Sequence, residues 1–332
     1  MRVAVIGGTE FIGRRVVERL AERGDEVLVI HRGRTEPADL PPCAHLHVDR
    51  RDFADVADQV RAFAPDAVVD SYALSRADVD AVLPHLPDVH LVLLSSVDVY
   101  RVWELLLADD DTPVPLPLDE TAPLRTGRYP YRGRGAGLDD YDKLDVEPAY
   151  LARGGTVLRL GMVYGPHDQQ RREEPVLRRV RAGRTRIPVG AAGTLLTRLH
   201  VDDAAGGVLA ALDRPAAARG AVFNLGESVT YSMRSWLKLV LAAAGHEAEL
   251  VRVPDELVPA DLRLTRALAQ HVLYTSGRAE ALLDWRPADP VASIAASVRW
   301  HLDHPPADAS ADFSADEQAL NGGAEATVAH HR

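Results

Sequence analysis

Three glycines near the N-terminus are spaced as in a turn that binds anions. The run Gly7-Gly8-Thr9-Glu10-Phe11-Ile12-Gly13 directly follows the apolar stretch Val3–Ile6, and apolar residues at helical spacing come after it. This order indicates a strand, a glycine turn and a helix. Gly7 permits a tight reversal, Gly8 permits a close approach of the backbone to a pyrophosphate, and Gly13 lets the helix pack on the strand. The N–H groups that open the helix would face phosphate oxygens, so the Glu10 carboxylate has to point away from them.

A second strand and two arginines follow this turn. Glu26–Ile30 has the apolar character of a buried strand, and Arg32 and Arg34 stand just after it. In a dinucleotide fold an acidic residue at this strand end accepts from the ribose 2′-OH of NAD, whereas arginine accommodates the 2′-phosphate of NADP. Arg32, with Arg34 beside it, therefore predicts a preference for NADP, with NAD as the alternative cofactor. The competing interpretation is a solvated basic turn.

Polar residues also follow the next apolar runs. Asp49 and Arg50 come after the third run, where an adenine ring would lie, and Asp49 can accept from its amino group. Ser71 and Ala73 come after the fourth run. Because open α/β sheets bind ligands at the carboxyl ends of their strands, we predict that these four residues contact the cofactor. In the alternative interpretation of this region, Asp52 simply caps the next helix.

Composition limits the class of protein. The 332 residues carry a formal net charge of −11, which argues against binding to nucleic acid or to acidic membranes. No apolar run approaches the roughly 18 residues of a membrane span, so we expect a cytoplasmic protein. Cys43 is the single cysteine, which excludes an internal disulfide, and we expect an ordinary thiol and no metal site.

Several further motifs occur along the chain, each at one position. They are Ser95-Ser96-x-x-Val99-Tyr100, Arg159 followed by Val163-Tyr164-Gly165-Pro166-x-Asp168, His200-Val201-Asp202-Asp203-Ala204, and Asn224-Leu225-Gly226. With the glycine turn, these motifs resemble the extended short-chain dehydrogenase/reductase superfamily, specifically the NAD-dependent epimerase/dehydratase family and its atypical members. The resemblance covers roughly residues 1 to 305. It implies an α/β fold with a Rossmann-type doubly wound parallel sheet and a smaller C-terminal α/β substrate lobe.

On this basis we divide the chain into two parts and a tail. The NAD(P)-binding domain would comprise residues 1–164 plus about 198–223, and the substrate lobe would comprise 165–197 and 224–305. Residues 306–332 contain few large apolar side chains and are predicted to be a disordered tail. The proline- and glycine-rich segment between Tyr100 and Asp139 is predicted to be irregular, either a lid over the substrate or a disordered excursion.

The resemblance implies roles for two residues near one strand end. Ser96 stands four residues before Tyr100, as the catalytic Ser or Thr of the family does, and would hydrogen-bond the reacting oxygen. Asp98 stands where the dehydratase members carry an acid and would contact the substrate. Val97 replaces their other acidic residue, which disfavours sugar dehydration.

The family's catalytic pair is Tyr-x-x-x-Lys, but Tyr141 and Lys143 are only two residues apart. On a regular helix they would be separated by about 200°, so both can face one cofactor only if the helix begins between them or is distorted. An alignment on Lys143, which we favour, puts Asp139 in the tyrosine position; an alignment on Tyr141 puts Asp145 in the lysine position. We predict Tyr141 as the acid/base and Lys143 as the ribose-binding residue. Tyr129 and Tyr131 are alternatives for the hydroxyl.

Further residues are assigned to the ligands. By resemblance, Met162 passes beside the nicotinamide. Three polar or cationic residues follow the Gly-Pro turn, namely His167, Arg171 and Arg172. These residues and Arg198 suit a phosphate or carboxylate on the substrate. Pairing of these arginines with Glu173 or Glu174 is the competing interpretation.

The predicted function is hydride transfer between a nicotinamide and a polar small molecule such as a nucleotide sugar, by an NADP-preferring oxidoreductase or epimerase. A cofactor-binding sensor or regulatory protein without standard redox catalysis is the alternative, supported by the altered tyrosine-to-lysine spacing. An RNA-binding role, known among atypical relatives, is disfavoured by the acidic charge. A homodimer is expected by resemblance alone.

Overall fold

The computed structural model describes residues 1–135, 137–307 and 310–329. Its strands are β1 Arg2–Ile6, β2 Glu26–His31, β3 Ala44–His47, β4 Ala67–Asp70, β5 His90–Ser96, β6 Thr156–Leu160, β7 Met162–Tyr164, β8 Arg186–Val189, β9 Arg198–His200, β10 Val222–Leu225 and β11 Glu249–Arg252. Its α-helices are α1 Phe11–Glu22, α2 Ala57–Phe63, α3 Arg76–Val82, α4 Arg101–Ala108, α5 Lys143–Ala152, α6 Glu174–Arg181, α7 Val201–Asp213, α8 Pro215–Ala218, α9 Met233–Ala243, α10 Gly277–Leu283, α11 Pro290–Asp303 and α12 Ser314–Ala329.

A seven-stranded parallel sheet forms the centre of the larger domain. The strands lie in the order β10-β6-β5-β4-β1-β2-β3, and every neighbouring pair is parallel. The central strands are almost continuously apolar because helices cover both of their faces. The chain moves outward from β1 in one direction to β2 and in the other to β4, and this change of direction opens a crevice at the carboxyl ends of the strands. The predicted Rossmann-type fold is therefore confirmed.

Helices on each face of the sheet complete two cores. Helices α1 and α7 cover one face through Val16, Val17, Leu20 and Val208. The apolar sides of α2, α3 and α5 cover the other face. The α1 helix is amphipathic, with its buried residues at the i, i+3, i+4 spacing that an outer helix needs.

The smaller C-terminal lobe has its own core. It contains two parallel strand pairs, β8 with β11 and β7 with β9. Helices α6, α9 and α11 pack on them, and Trp236, Leu237 and Val240 of α9 are buried there. This smaller α/β lobe also agrees with the predicted fold class.

Two segments differ from the sequence-based expectation. Arg101–Ala108, inside the segment predicted to be irregular, is helix α4. The prediction of a disordered tail is wrong for Ser314–Ala329, which form α12. Asp316 of this helix is fully buried and accepts hydrogen bonds from Arg179, with a shortest N–O distance of 2.6 Å. Ala319 and Leu320 of the same helix are also buried. The partners of these residues lie far away in the sequence, so composition alone did not reveal the helix.

Within the described ranges, none of the helices combines the length and the apolar character that crossing a bilayer requires.

Candidate active site

The glycine turn has the geometry of an anion cradle. Gly7 adopts φ +85°, which favours glycine, and a Cβ on Gly13 would lie 1.9 Å from the Gly7 carbonyl oxygen. The close packing predicted for Gly13 is thus present. Helix α1 begins at Phe11, and the preceding Glu10 side chain is exposed and makes no capping hydrogen bond to the first turn. The N–H groups of that turn are therefore free of a side-chain cap and available to an anion.

Gly8 is required by packing inside the protein, and the approach of its backbone to a pyrophosphate stays a prediction. A Cβ at this position would lie 2.8 Å from Val17 Cγ2 and 2.9 Å from Val29 Cγ1. Those atoms belong to the buried core beneath the turn. Core packing alone therefore excludes a larger residue at Gly8. Thr9 is also buried, and its hydroxyl lies 3.3 Å from the Thr35 hydroxyl. Ile12 is half-buried and packs on the same core.

Ser71 braces the glycine turn from the neighbouring strand. Its Oγ lies 2.8 Å from the carbonyl oxygens of both Ile6 and Gly7. A serine hydroxyl has one proton to donate, so it is shared between these acceptors. Two residues further on, the carbonyl of the buried Ala73 accepts from Lys143. Ser71 and Ala73 thus connect the glycine turn to Lys143.

Helix α5 begins between Tyr141 and Lys143. Asp142 is its N-cap, with extended dihedral angles of φ −159° and ψ 103°, and its carboxylate accepts from the Leu144 N–H at 3.0 Å. Because Tyr141 precedes the helix, the 200° separation of a regular helix does not apply. Both side chains are buried, and Lys143 Nζ lies 5.9 Å from the centre of the Tyr141 ring. Asp139 instead lies exposed in the loop, where it accepts from the Gly133 N–H, so it does not replace a catalytic tyrosine.

Two arginines hold the capping aspartate in place. The buried Arg125 forms an ion pair with Asp142, and Arg128 Nε donates to the same carboxylate at 2.6 Å. Arg125 Nε also donates to the Asp98 backbone carbonyl at 3.1 Å. Sequence analysis did not find these partners. Asp142 has one recognisable signal, because aspartate just before a helix is a preferred N-cap.

Asp98 is the centre of a buried group of polar side chains, which we call the Asp98 cluster (Ser96, Asp98, Tyr131, Tyr141 and Lys143). Asp98 Oδ2 accepts from the Tyr141 hydroxyl at 2.7 Å and from the Tyr131 hydroxyl at 3.0 Å. Its other oxygen, Oδ1, is buried and has no hydrogen-bond partner among the described residues. Burial raises the pKa of the Asp98 carboxyl above its ordinary value. Burial, together with the adjacent Asp98, also raises the pKa of both tyrosines, that of Tyr141 strongly.

Lys143 and Ser96 complete the cluster. Lys143 Nζ donates to the carbonyls of Ala73 at 2.6 Å and Leu94 at 2.9 Å, and burial lowers the lysine pKa to about 8. An ammonium has three protons, so one donor stays available to a ligand. The half-buried Ser96 accepts from the Asp98 N–H at 3.1 Å, and its hydroxyl proton can be donated elsewhere.

Arg50 has a structural partner that the sequence did not indicate. Its guanidinium forms an ion pair with the buried Asp70, which also accepts from the Tyr150 hydroxyl. Arg50 Nη1 is buried without a hydrogen-bond partner among the described residues, and the contact of Arg50 with the cofactor stays a prediction. Asp49 caps the following 3₁₀ helix by accepting from the Arg51 N–H at 3.0 Å, the capping role that we had considered for Asp52. Arg32 and Arg34 are exposed, and within the described residues neither has a hydrogen bond or an ion pair.

The predicted substrate contacts other than Asp98 lie in another environment. His167 packs against Trp300, with ring centres 4.6 Å apart. Arg171 donates to the His304 carbonyl at 2.9 Å, and Arg172 pairs with Asp168 at 3.1 Å. The positive φ of 64° at His167 and of 44° at Arg171 directs this turn toward the end of α11. None of these residues is hydrogen-bonded or ion-paired with the Asp98 cluster in the described part of the chain.

Arg198 is also held within the protein. It is buried, its guanidinium lies over Trp236 at 4.3 Å from the ring centre, and one of its nitrogens donates to the Leu196 carbonyl at 3.2 Å. Burial lowers its pKa to about 10. Met162 is its partner in the β7–β9 register and is half-buried.

Comparison with known proteins places these features in a family. The family model described as NAD dependent epimerase/dehydratase family matches residues 3–85 and 146–226. A 3-diazoavenalumate denitrifying reductase from a Streptomyces species is 30% identical over 310 residues, which cover 87% of this chain and 97% of that protein. The chloroplast stem-loop binding protein of 41 kDa b from Arabidopsis thaliana is 26% identical over 340 residues, which cover 96% of this chain and 84% of that protein.

A solved structure shows the same fold. The UDP-glucose 4-epimerase from Bifidobacterium longum, in complex with NAD⁺ and UDP, matches with a TM-score of 0.68 at 19% identity, over 92% of this chain and 99% of that one. The family model covers both the glycine turn and α5 from its second turn onward, the elements that position the candidate site. The chain belongs to the NAD-dependent epimerase/dehydratase family.

Proposed function

We propose that this chain is an NAD(P)-dependent reductase that delivers a hydride and a proton to a polar small molecule. The observation that carries the proposal is the position of Tyr141 and Lys143. Lys143 Nζ lies 5.9 Å from the centre of the Tyr141 ring, and the Tyr141 hydroxyl donates to Asp98. Lys143 is also joined through the Ala73 carbonyl to the strand end whose Ser71 hydroxyl contacts the glycine turn. A cofactor on the turn would therefore extend toward a proton donor.

The residues present fit a nicotinamide dinucleotide. Gly7 and Gly13 allow the turn to pack closely on itself and on Ser71, and the uncapped first turn of α1 offers N–H groups to a pyrophosphate. The third proton of Lys143 suits a ribose hydroxyl. When bound, the cofactor supplies the hydride.

We further propose that NADPH is preferred to NADH. Arg32 and Arg34 follow the end of β2 directly and are not engaged by acidic side chains among the described residues, so they are available to a 2′-phosphate. The Bifidobacterium epimerase was solved with NAD⁺, and comparison of the two Kd values decides the matter for this chain. A lower Kd for NADH would remove this part of the proposal.

The proton chemistry of the cluster favours reduction. Burial and Asp98 keep the Tyr141 phenol protonated at neutral pH, and burial favours the protonated form of Asp98 as well. Tyr141 is therefore suited to give a proton to the oxygen that forms when a carbonyl accepts hydride. Once Tyr141 has turned its hydroxyl proton to the substrate oxygen and released it, a protonated Asp98 can return a proton to the phenolate across the 2.7 Å contact. This leaves a neutral phenol beside a carboxylate. Ser96 would orient the same substrate oxygen.

The substrate is proposed to be a polar carbonyl compound or a similarly electrophilic molecule. Epimerisation of a nucleotide sugar is the second candidate, because enzymes with that activity share the fold. Arg171 and Arg172 are occupied within the chain, which weakens the case for a diphosphate at that turn. Stoichiometric consumption of NADPH indicates reduction, whereas product formation without net cofactor consumption indicates epimerisation.

The test compares cofactor binding with turnover in purified protein. We expect Tyr141→Phe to keep NADPH binding and to lose turnover by about 10²- to 10⁴-fold, because the proton donor is gone. Lys143→Ala should weaken cofactor binding. The exposed Lys238→Ala is a control and should behave as the wild type.

Three outcomes separate the proposal from its rivals. A fully active Tyr141→Phe/Lys143→Ala double variant would remove this site from consideration. Tight NADPH binding without turnover across a broad substrate panel would instead support the sensor function. Specific retention of RNA stem-loops in a mobility-shift assay, despite the net charge of −11, would support the function named for the Arabidopsis relative.

A further inference from the structure

A second group of ligand-type side chains lies at the open edge of the central sheet. It consists of His31, Glu36, His45 and His47, which we call the histidine cluster. One candidate ligand atom from each residue lies within 4.8 Å of all the others. None of these residues belongs to the Asp98 cluster or to the glycine turn.

Strand register brings the three histidines together. His45 and His47 stand two residues apart on β3, so both side chains leave the same face of the strand. The parallel pairing of β2 with β3 sets His31 opposite His47. Among the described residues β3 is the last strand of the sheet, so this group lies at an edge of the sheet. Glu36 reaches the group from the connection between the two strands, residues 32–43, which we call the β2–β3 loop.

The distances suit a shared central ion. His31 Nε2 lies 2.9 Å from His45 Nδ1, and His47 Nε2 lies 3.1 Å from Glu36 Oε2. His45 Nδ1 lies 3.8 Å from the other Glu36 oxygen. In a tetrahedral site with bonds of about 2.0–2.1 Å, neighbouring ligand atoms are about 3.3 Å apart. The observed separations lie on both sides of that value.

We propose that the histidine cluster binds one divalent transition-metal ion, with Zn²⁺ as the best match. Imidazole nitrogens and a single carboxylate are typical ligands of Zn²⁺, whereas Mg²⁺ and Ca²⁺ prefer oxygen donors. Cys43 adds an outer contact, because its Sγ lies 3.3 Å from Nε2 of His45, the ring nitrogen that faces away from His31. Such contacts orient a ligating histidine. This proposal departs from the expectation that the chain has no metal site.

Metal binding would have to rearrange one hydrogen bond. The Gly33 N–H donates to His31 Nδ1 at 3.2 Å, so in the metal-free protein Nδ1 carries the lone pair and Nε2 carries the proton. Coordination through Nε2 moves that proton to Nδ1, and two N–H groups would then face each other. Gly33 has to turn away, and its neighbours Arg32 and Arg34 move with it. We therefore expect the metal to change the rate at which trypsin cleaves at these exposed arginines.

The experiment measures Zn²⁺ binding by the full chain after treatment with a chelator. Stoichiometry comes from metal analysis after gel filtration, and Kd comes from competition with a chromophoric chelator. Visible spectra of the Co²⁺-loaded protein report the coordination geometry. We expect one tightly held ion per chain and a four-coordinate Co²⁺ spectrum. His45→Ala and His47→Ala should each weaken binding by more than about 100-fold, because a ligand is lost.

Two control variants address other histidines. His85→Ala removes a histidine of the same domain that lies outside the cluster, and a His330→Ala/His331→Ala double variant removes the adjacent pair at the C-terminus. Both should bind Zn²⁺ like the wild type. The His47 side chain is 53% exposed, so His47→Ala is expected to fold even if His45→Ala does not. Binding of less than a fifth of an equivalent, or binding that survives His47→Ala but is lost in the C-terminal variant, would overturn the proposal.

Discussion

Ser95 and Ser96, neighbours at the end of β5, each begin a buried polar network, and the two networks differ in how completely they are paired. Ser95 Oγ donates to Glu147 at 2.6 Å, and Arg159 forms two hydrogen bonds with the same carboxylate, at 2.7 and 3.0 Å. Arg159 then reaches the Tyr100 hydroxyl at 3.0 Å, which donates to Asn224 at 2.7 Å. On the Ser96 side, the Asp98 cluster leaves one carboxylate oxygen and one lysine proton without partners among the described residues.

The two networks show the difference between polar groups that are paired within the protein and polar groups that are left for a ligand. In the Ser95 network a carboxylate is matched by a guanidinium in bidentate geometry, and among its described atoms only Asn224 Nδ2 is buried without a partner. Such a network stabilises the fold only while all its members are present. The Asp98 cluster is held in place but incomplete, which leaves donors and an acceptor for a ligand. Helix α5 serves both, because Lys143 and Glu147 lie one turn apart on it.

The largest expected effect is a loss of stability on the Ser95 side. Glu147→Ala leaves the buried Arg159 without its counter-charge, and we expect the free energy of unfolding to fall by about 3–5 kcal/mol in urea denaturation. The exposed Glu256→Ala should stay within about 0.5 kcal/mol of the wild type. A loss below about 1 kcal/mol for Glu147→Ala would mean that the two networks do not differ as described.

A slightly smaller effect is expected in the pH dependence of stability. Burial lowers the Lys143 pKa from 10.5 to about 8, so between these values the unfolded chain binds a proton that the folded chain does not. Stability from this group therefore increases as the pH rises through the window. From pH 8 to 10.5 we expect wild type to gain on the order of 3 kcal/mol over Lys143→Met. The exposed Lys238→Met should show no such trend relative to wild type, and an equal trend in both variants would contradict the assignment.

Asp98→Asn should show the opposite behaviour from Glu147→Ala. The amide has nearly the shape of the carboxyl, and burial already favours the neutral acid at this position. We therefore expect a change of less than about 1 kcal/mol in stability and a fall of about 10²-fold in kcat, because Asp98 can no longer resupply a proton. Stopped-flow turnover and urea denaturation on the same preparation provide the comparison. Unchanged kcat would show that Tyr141 works without the carboxyl.

Tyr131→Phe should have the smallest effect. It removes the 3.0 Å hydrogen bond to Asp98 but leaves the shorter bond from Tyr141. We expect a loss of about 1 kcal/mol in stability and less than a tenfold change in kcat, from the same two measurements. A fall in kcat as large as that of Tyr141→Phe would identify Tyr131 as the proton donor, the alternative left open by the sequence.

The parts of the molecule that sequence reasoning found are those encoded by near neighbours. The glycine turn and the strands on either side of it, predicted at Val3–Ile6 and Glu26–Ile30, follow from local residue types. The ion pair of Arg50 with Asp70 could not be predicted, because strand order brings the two residues together. The histidine cluster depends on the β2–β3 register in the same way. The proximity of Tyr141 and Lys143 depends on the helix cap Asp142 between them. Asp142 is held by Arg125, which lies 17 residues earlier in the chain.

The aspartate that opens α5 has a consequence for how relatives are sorted. Surveys that count the residues between tyrosine and lysine would place this chain among inactive homologues, since they assume one uninterrupted helix across both. Because the helix starts between them, Tyr141 and Lys143 lie close together even though only one residue separates them: Lys143 Nζ is 5.9 Å from the centre of the Tyr141 ring. Relatives with a single residue between tyrosine and lysine are better grouped by two features: an aspartate directly before the lysine, and an arginine upstream that pairs with it. Loss of catalytic function should be sought in members that lack either feature.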